Sequence, residues 1–350
     1  MKMDFELRDK VKEYVYDIDT YIPGEMVEDY IKLASNENNY GPSPRVVETL
    51  REYADKVNIY PYREGEVREA VAEYCGLSRE NIAAGNGSDE LIELVLKVFK
   101  GPVLYFNPTF GEYRICSQIL GERFYSINLE QDFSFPLDRY LGKAKEANIL
   151  FLCSPNNPTG TAISLGDIKK ILELGKPTVV DEAYFEFCGE TSAPLLREYD
   201  NLIILRTFSK AFALGGLRAG YAISSPEVVE LLYKVRQPFS VNSFAQVAAL
   251  AALDDVAFME RNVEKIKEDR EMLYKKLGGR FRVYESDANF VLLDSAPMTS
   301  QELFKRLYEK RIIVRKLGGF PGFEGDYTRI TVGTSEENKK LIKALDGIIQ

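Results

Sequence analysis

The chain has 350 residues, 45% of them apolar and 28% charged, with a net charge of −9 and no histidine. That length allows a large core and two lobes, and the acidic balance weighs against nonspecific nucleic-acid binding. Without histidine, Ser-His-Asp and Cys-His triads are excluded, no metal site is expected, and any proton shuttle must be Lys, Tyr, Asp, Glu or Cys. In chain order, residues 1–34 read as a charged amphipathic arm or helix with a turn at Pro23-Gly24. The N-terminus lacks the apolar core of a secretory signal, and no stretch reaches the ~20 apolar residues of a membrane span. The cytoplasm is the expected location, with no membrane partner.

From about 64 to 260, apolar runs alternate with helical patterns. Val103–Phe106, Asn148–Leu152, Thr178–Val180, Leu202–Leu205 and Ala219–Ile223 read as short buried strands; Asp89–Phe99 and Gly166–Leu174 read as helices. Strands alternating with helices indicate an α/β fold with a largely parallel sheet. A long charged helix follows at Asp255–Leu277, then strand-like FRVYES, NFVLLD and IIVRKL, a helix around Gln301–Lys310, strand YTRITVG and a last helix, Glu336–Ile349. This tail reads as a smaller α+β domain. The expected division is an arm at 1–34, a large domain at 35–240 and a small domain at 241–350. Cys75, Cys116, Cys153 and Cys188 are scattered, with no C-x-x-C pair, and read as free, mostly buried thiols.

Four motifs carry chemistry. GNGSDE (85–90) places Gly85 and Gly87 ahead of Ser88, Asp89 and an apolar-periodic helix, so the free N–H groups of its first turn would make an anion site; a plain glycine turn with an Asp cap is the alternative. SPNNPTG (154–160) is a stiff turn after a strand and would offer Asn157 at the end of the sheet where open α/β folds bind ligands; an ordinary Asn-Pro turn is the alternative. TVVDEAYFEF (178–187) ends a buried strand with Asp181, followed by Tyr184. A buried carboxylate is costly unless paired, by a ligand cation or, alternatively, by a nearby Arg or a helix terminus. TFSKAFALGGLRAG (207–220) sets Lys210 among small and apolar residues, beside Thr207, Ser209 and Arg218. Hydroxyls and a guanidinium suit a phosphate, and a desolvated lysine has a lowered pKa and a nucleophilic amine. Together the four fit a ligand with a phosphate, a protonatable ring nitrogen, a phenolic oxygen and an attackable carbonyl, which describes pyridoxal 5′-phosphate (PLP).

The sequence resembles the fold-type I PLP-dependent aminotransferases, and within them the histidinol-phosphate aminotransferases. The likeness runs from TYIPG (20–24) through LASNENNYGPSP, GNGSDE, NPTFGEY, SPNNPTG, DEAYFEF and RTFSKAF to RITVG (329–333). It implies a large domain with a mostly parallel mixed sheet flanked by helices, plus a smaller α+β domain. Lys210 matches the lysine that bonds to the cofactor and shuttles the proton. Asp181 matches the partner of the ring nitrogen, and Asn157 and Tyr184 match the groups on the phenolic oxygen. Phe110 matches an aromatic residue that stacks on the ring. Gly87, Ser88, Asp89, Thr207, Ser209 and Arg218 match the phosphate site, and Tyr60, in NIYPYREG, matches a tyrosine reaching the other subunit's phosphate, which implies a homodimer. Arg329 and Arg315 match arginines that bind the substrate anion, Tyr21 a tyrosine of the arm, and Asn36 lies in a pocket-lining loop. The implied substrates are histidinol phosphate and the glutamate/2-oxoglutarate pair. An aromatic amino-acid aminotransferase or a threonine-phosphate decarboxylase would share every cofactor residue. Gly215-Gly216 and TYIPG depart from commoner family sequences, away from the catalytic positions.

Overall fold

The computed structural model describes residues 7–18, 24 and 26–348. Its strands are β1 (Ile31–Leu33), β2 (Ile82–Gly85), β3 (Val103–Asn107), β4 (Phe124–Asn128), β5 (Ile149–Cys153), β6 (Thr178–Asp181), β7 (Leu202–Thr207), β8 (Gly220–Ser224), β9 (Arg282–Tyr284), β10 (Phe290–Asp294), β11 (Ile312–Gly318) and β12 (Tyr327–Thr331). Seven of them form one sheet in the order β2-β8-β7-β6-β5-β3-β4. The pairs β7–β6, β6–β5, β5–β3 and β3–β4 are parallel, whereas β8 runs antiparallel to both β7 and β2. Every residue of β5, β6 and β7 is buried. That explains why they read as unbroken apolar runs: the strands of a parallel sheet are covered on both faces.

The second sheet has the order β1-β11-β12-β10-β9 and is antiparallel except for the β1–β11 pair. The end of the span expected to be an arm therefore supplies an edge strand to this sheet. Nearer the N-terminus, Leu7–Lys10 and Glu13–Asp17 form 3-10 turns rather than a long helix. Three strands escaped the sequence reading. β1 has only three residues, β2 is Ile-Ala-Ala-Gly, and β4 is an edge strand with no buried residue. None of them produces an apolar run or a clean alternation.

The parallel strands bring their C-terminal ends to one edge. Cys153 pairs with Asp181, Asp181 with Leu205, Thr207 with Gly220 and Gly220 with Gly85. The four motifs thus leave the sheet side by side, at the edge where open α/β sheets hold ligands. The helix Gly87–Val98 starts there, two residues after β2.

Candidate active site

At this edge lies a cavity of about 1040 Å³, lined by Lys210, Asp181, Tyr184, Asn157, Ser88, Asp89, Phe110, Thr207, Ser209, Arg218, Asn36, Arg315 and Arg329. Gly87, next to Ser88, does not line it. Tyr60 does not line the cavity; it is 74% exposed and stacks on Phe239 at 4.8 Å. Tyr21 lies outside the described residues.

Lys210 follows β7 by three residues. Its Nζ donates to Ser35 O at 3.2 Å and stands 5.8 Å from the Tyr184 ring. Burial, helped by the Arg329 guanidinium, lowers its pKa to about 8. Asp181 is displaced in the opposite direction. Its carboxyl accepts from Tyr113 Oη at 2.7 Å and from the Ala183 N–H at 3.1 Å, yet burial outweighs both bonds and raises its pKa to about 6. Among the described residues, both groups that hydrogen-bond this carboxylate are neutral. Arg206, on β7, is bound to the next residue, Glu182, through Nε at 3.0 Å and Nη2 at 2.8 Å.

Tyr184 Oη accepts from Asn36 Nδ2 at 2.9 Å, and burial pushes the phenol far up. Asn36 has a positive φ of 56° and is anchored by its N–H to Thr331 Oγ1 at 2.9 Å. Arg329, on β12, donates Nη2 to Ala34 O at 2.7 Å and Nη1 to Asn157 Oδ1. Two residues expected to serve different ligands are thereby joined. Arg315 on β11 is the register partner of Arg329.

The remaining polar groups surround the start of the Gly87–Val98 helix. Its N-cap, Asn86, gives no side-chain hydrogen bond, so the first-turn N–H groups have no side-chain cap. Arg218 Nη2 pairs with Asp89 Oδ2 at 2.6 Å, and its Nη1 reaches Ser209 Oγ at 3.4 Å. Two glycines permit this crowding. A Cβ on Gly87 (φ +80°) would stand 2.6 Å from Arg218 Nη2, and one on Gly220 would stand 2.7 Å from Gly87 C and 2.8 Å from Ser88 N. The arrangement can hold an anion against the helix start and a cation against Asp181, with a partly deprotonated amine between them.

The family model for aminotransferase class I and II matches residues 28–345. The chain belongs to this family. Within the class, the aminotransferase is 38% identical over 364 residues to the histidinol-phosphate aminotransferase of Methanosarcina mazei, a match spanning 99% of this chain and 98% of the relative. Its fold overlays the histidinol-phosphate aminotransferase of Clostridium acetobutylicum with a TM-score of 0.85 at 27% identity, covering 91% of this chain and 98% of the other. It overlays the Sinorhizobium meliloti histidinol-phosphate aminotransferase, solved in complex with pyridoxal-5′-phosphate, with a TM-score of 0.83 at 25% identity, covering 91% and 90%.

Two features of this aminotransferase's site were missed in the sequence. Tyr113, inside NPTFGEY, reaches Asp181. Behind the cavity, the buried Glu182–Arg206 pair is completed by Thr191 Oγ1 and by the Ser192 N–H and hydroxyl, all on Glu182. The only signal for the pair was a charge beside a site residue in each of two motifs, Asp181-Glu182 and Arg206-Thr207.

Proposed function

We propose that this aminotransferase transfers the amino group of L-histidinol phosphate to 2-oxoglutarate, using pyridoxal 5′-phosphate, through Lys210. The observation that carries the reading is one cavity that buries both Lys210 and Asp181, the aspartate with only neutral hydrogen-bond partners, so that burial pushes the lysine down to about 8 and the aspartate up to about 6. The cavity fits the cofactor. Asp181 has only neutral hydrogen-bond partners, which suits a protonated ring nitrogen, and the uncapped helix start with its glycines, Ser209 and Arg218 suits a phosphate.

Lys210 would hold the cofactor at its aldehyde carbon until the substrate amine displaced it, and the freed lysine amine would then take up and return the proton of the substrate α-carbon. The cofactor, when bound, supplies an electron-withdrawing ring for the charge left on that carbon. Asp181 keeps the ring nitrogen protonated. Tyr184 and Asn157 would hold the phenolic oxygen, and Phe110 would stack on the ring. Backbone N–H groups of Gly87, Ser88 and Asp89 at the helix start, with Thr207, Ser209 and Arg218, would hold the phosphate. Arg329 and Arg315 take the substrate anion, a phosphate in one half-reaction and a carboxylate in the other, with Asn36 and Tyr21 lining the approach. The large unit at 35–240 carries the cofactor and the unit at 241–350 carries the two arginines.

The protein works as a homodimer, with Tyr60 of one protomer at its partner's phosphate site. The exposed cluster of Val57, Ile59, Tyr60, Tyr62 and Phe239 supports such an interface. Among the described residues no helix is long and apolar enough to cross a membrane, and the acidic composition fits a cytoplasmic enzyme with no nucleic-acid partner.

The test is a single turnover without any oxo acid, mixing the PLP-loaded protein separately with L-histidinol phosphate, phenylalanine and O-phosphothreonine. Pyridoxamine phosphate is expected to form fast with histidinol phosphate alone. Fast conversion of phenylalanine but not histidinol phosphate, or release of CO₂ from phosphothreonine, would overturn the substrate assignment.

A further inference from the structure

Tyr113 is the second residue of the helix Glu112–Leu120, three residues after Phe110. It is fully buried. Its ring stacks on Phe151 of β5 at 4.9 Å and 28°, and meets Phe110 edge-on at 5.8 Å. These contacts leave the ring one position, and in it Oη stands 2.7 Å from Asp181 Oδ2. Burial raises the phenol pKa well above its ordinary value, so at working pH it is always a donor. The other Asp181 oxygen accepts the Ala183 N–H. A carboxylate offers about four acceptor directions, so capacity remains for a ring nitrogen.

We infer that Tyr113 is a positioning residue for the reaction: its hydroxyl fixes and helps ionise the Asp181 carboxylate that faces the cofactor ring. This rests on the reading of Asp181 as the ring-nitrogen partner. Lys210 lines the same cavity as Asp181, and its Nζ donates to Ser35 O. Cys153 of β5, Glu182 and Tyr184 on its own segment, and Asp89 of the Gly87–Val98 helix are either neutral or negative, and the two acidic groups push protonation up. Among the described residues, removing the phenol hydroxyl leaves the Ala183 N–H as the one hydrogen bond to the carboxylate.

The experiment measures PLP dissociation constants by equilibrium dialysis across pH for the wild type, Tyr113→Phe, Asp181→Asn, the double variant and Tyr140→Phe. Tyr140 is the control, another fully buried tyrosine, whose hydroxyl donates to Phe151 O at 3.2 Å and does not touch Asp181. A hydrogen bond to a charged group implies that Tyr113→Phe weakens PLP binding about ten- to a hundredfold and moves the acid-side loss of binding to higher pH. Tyr140→Phe should do neither, and Tyr113→Phe should add nothing once Asp181 is Asn. Wild-type affinity in Tyr113→Phe, an equal loss in Tyr140→Phe, or full additivity in the double variant overturns the inference. Wild-type affinity in Asp181→Asn overturns instead the reading of Asp181 on which it rests.

Discussion

Lys210→Met should make the cofactor-free protein more stable, by an amount that depends on pH. An ordinary lysine titrates at 10.5, and burial takes Lys210 to about 8. The unfolded chain therefore binds more protons than the folded one between these values, and stability rises with pH across that window. Below pH 8 the full penalty for the buried ammonium is present; above 10.5 it is gone. Converted at 1.36 kcal/mol per pH unit, the penalty is at most about 3 kcal/mol at pH 7 and about 1 kcal/mol at pH 9.5. Methionine fills a similar volume without charge, but loses the bond to Ser35 O, which offsets about 1 kcal/mol at every pH. The net gain is then about 2 kcal/mol at pH 7 and near zero at pH 9.5. Thermal melts of cofactor-free wild type and Lys210→Met at both pH values measure it. A gain that is the same at both, or a loss at pH 7, would refute the claim that the fold holds this lysine at a cost.

Three further outcomes follow from the geometry. Gly220→Ala puts a Cβ 2.7 to 3.0 Å from backbone atoms of Gly87, Ser88 and Arg206; no side chain can yield, so the helix start must move, and PLP affinity measured by dialysis should fall about tenfold or more, a 1–3 kcal/mol overpacking cost. Glu186 is half-buried, with its Oε2 shielded from solvent and unpartnered, and desolvation raises its pKa to about 8 from 4.5. Stability is therefore lost as pH rises from 4.5 through 8, and Glu186→Gln should gain under about 1 kcal/mol at pH 5 but roughly 4 kcal/mol at pH 9 in denaturant titrations. If Tyr60 serves the partner's site, mixing inactive Tyr60→Ala and Lys210→Ala dimers under subunit exchange should restore roughly a quarter of wild-type activity, since half of the random dimers are mixed and each holds one intact site; no recovery would place Tyr60 outside the partner's site.

How much of this was legible depends on what burial does to a sequence. β5, β6 and β7 are covered on both faces and announce themselves as apolar runs. β2 and β1 are too short to show a period, and β4 is only partly covered, so its residues need not be apolar. Lys210 and Asp181 were legible because a charge directly after or at the end of a buried strand is physically conspicuous. Tyr113 was not, since a buried tyrosine in a helix reads as core; its hydroxyl acquires a role only when β6 brings Asp181 to it, 68 residues along the chain. The tie between Asn157 and Arg329 spans 172 residues and both sheets' connections, and no local pattern encodes it.

The sheet edge also explains why two neighbouring carboxylates meet opposite fates. Side chains alternate across a strand, so Asp181 and Glu182 leave β6 on opposite sides. Glu182 points away from the cavity and meets a complete set of donors: the Arg206 guanidinium, Thr191 Oγ1, and the N–H and hydroxyl of Ser192. Arg206 in turn packs over the Phe185 ring at 3.5 Å. That pair is closed, with nothing left to bind. Arg206 and Thr207 alternate in the same way on β7, so the strand that sends its guanidinium to Glu182 sends Thr207 and then Lys210 to the cavity. A buried ion pair stabilises little beyond what its desolvation costs, and neither of its members lines the cavity that holds Asp181. On the cavity side, Asp181 has neutral hydrogen-bond partners and Lys210 is desolvated, and burial displaces both toward pH 7 from either side. One face of the sheet edge thus closes on an ion pair, while the other leaves Asp181 open to a ligand cation.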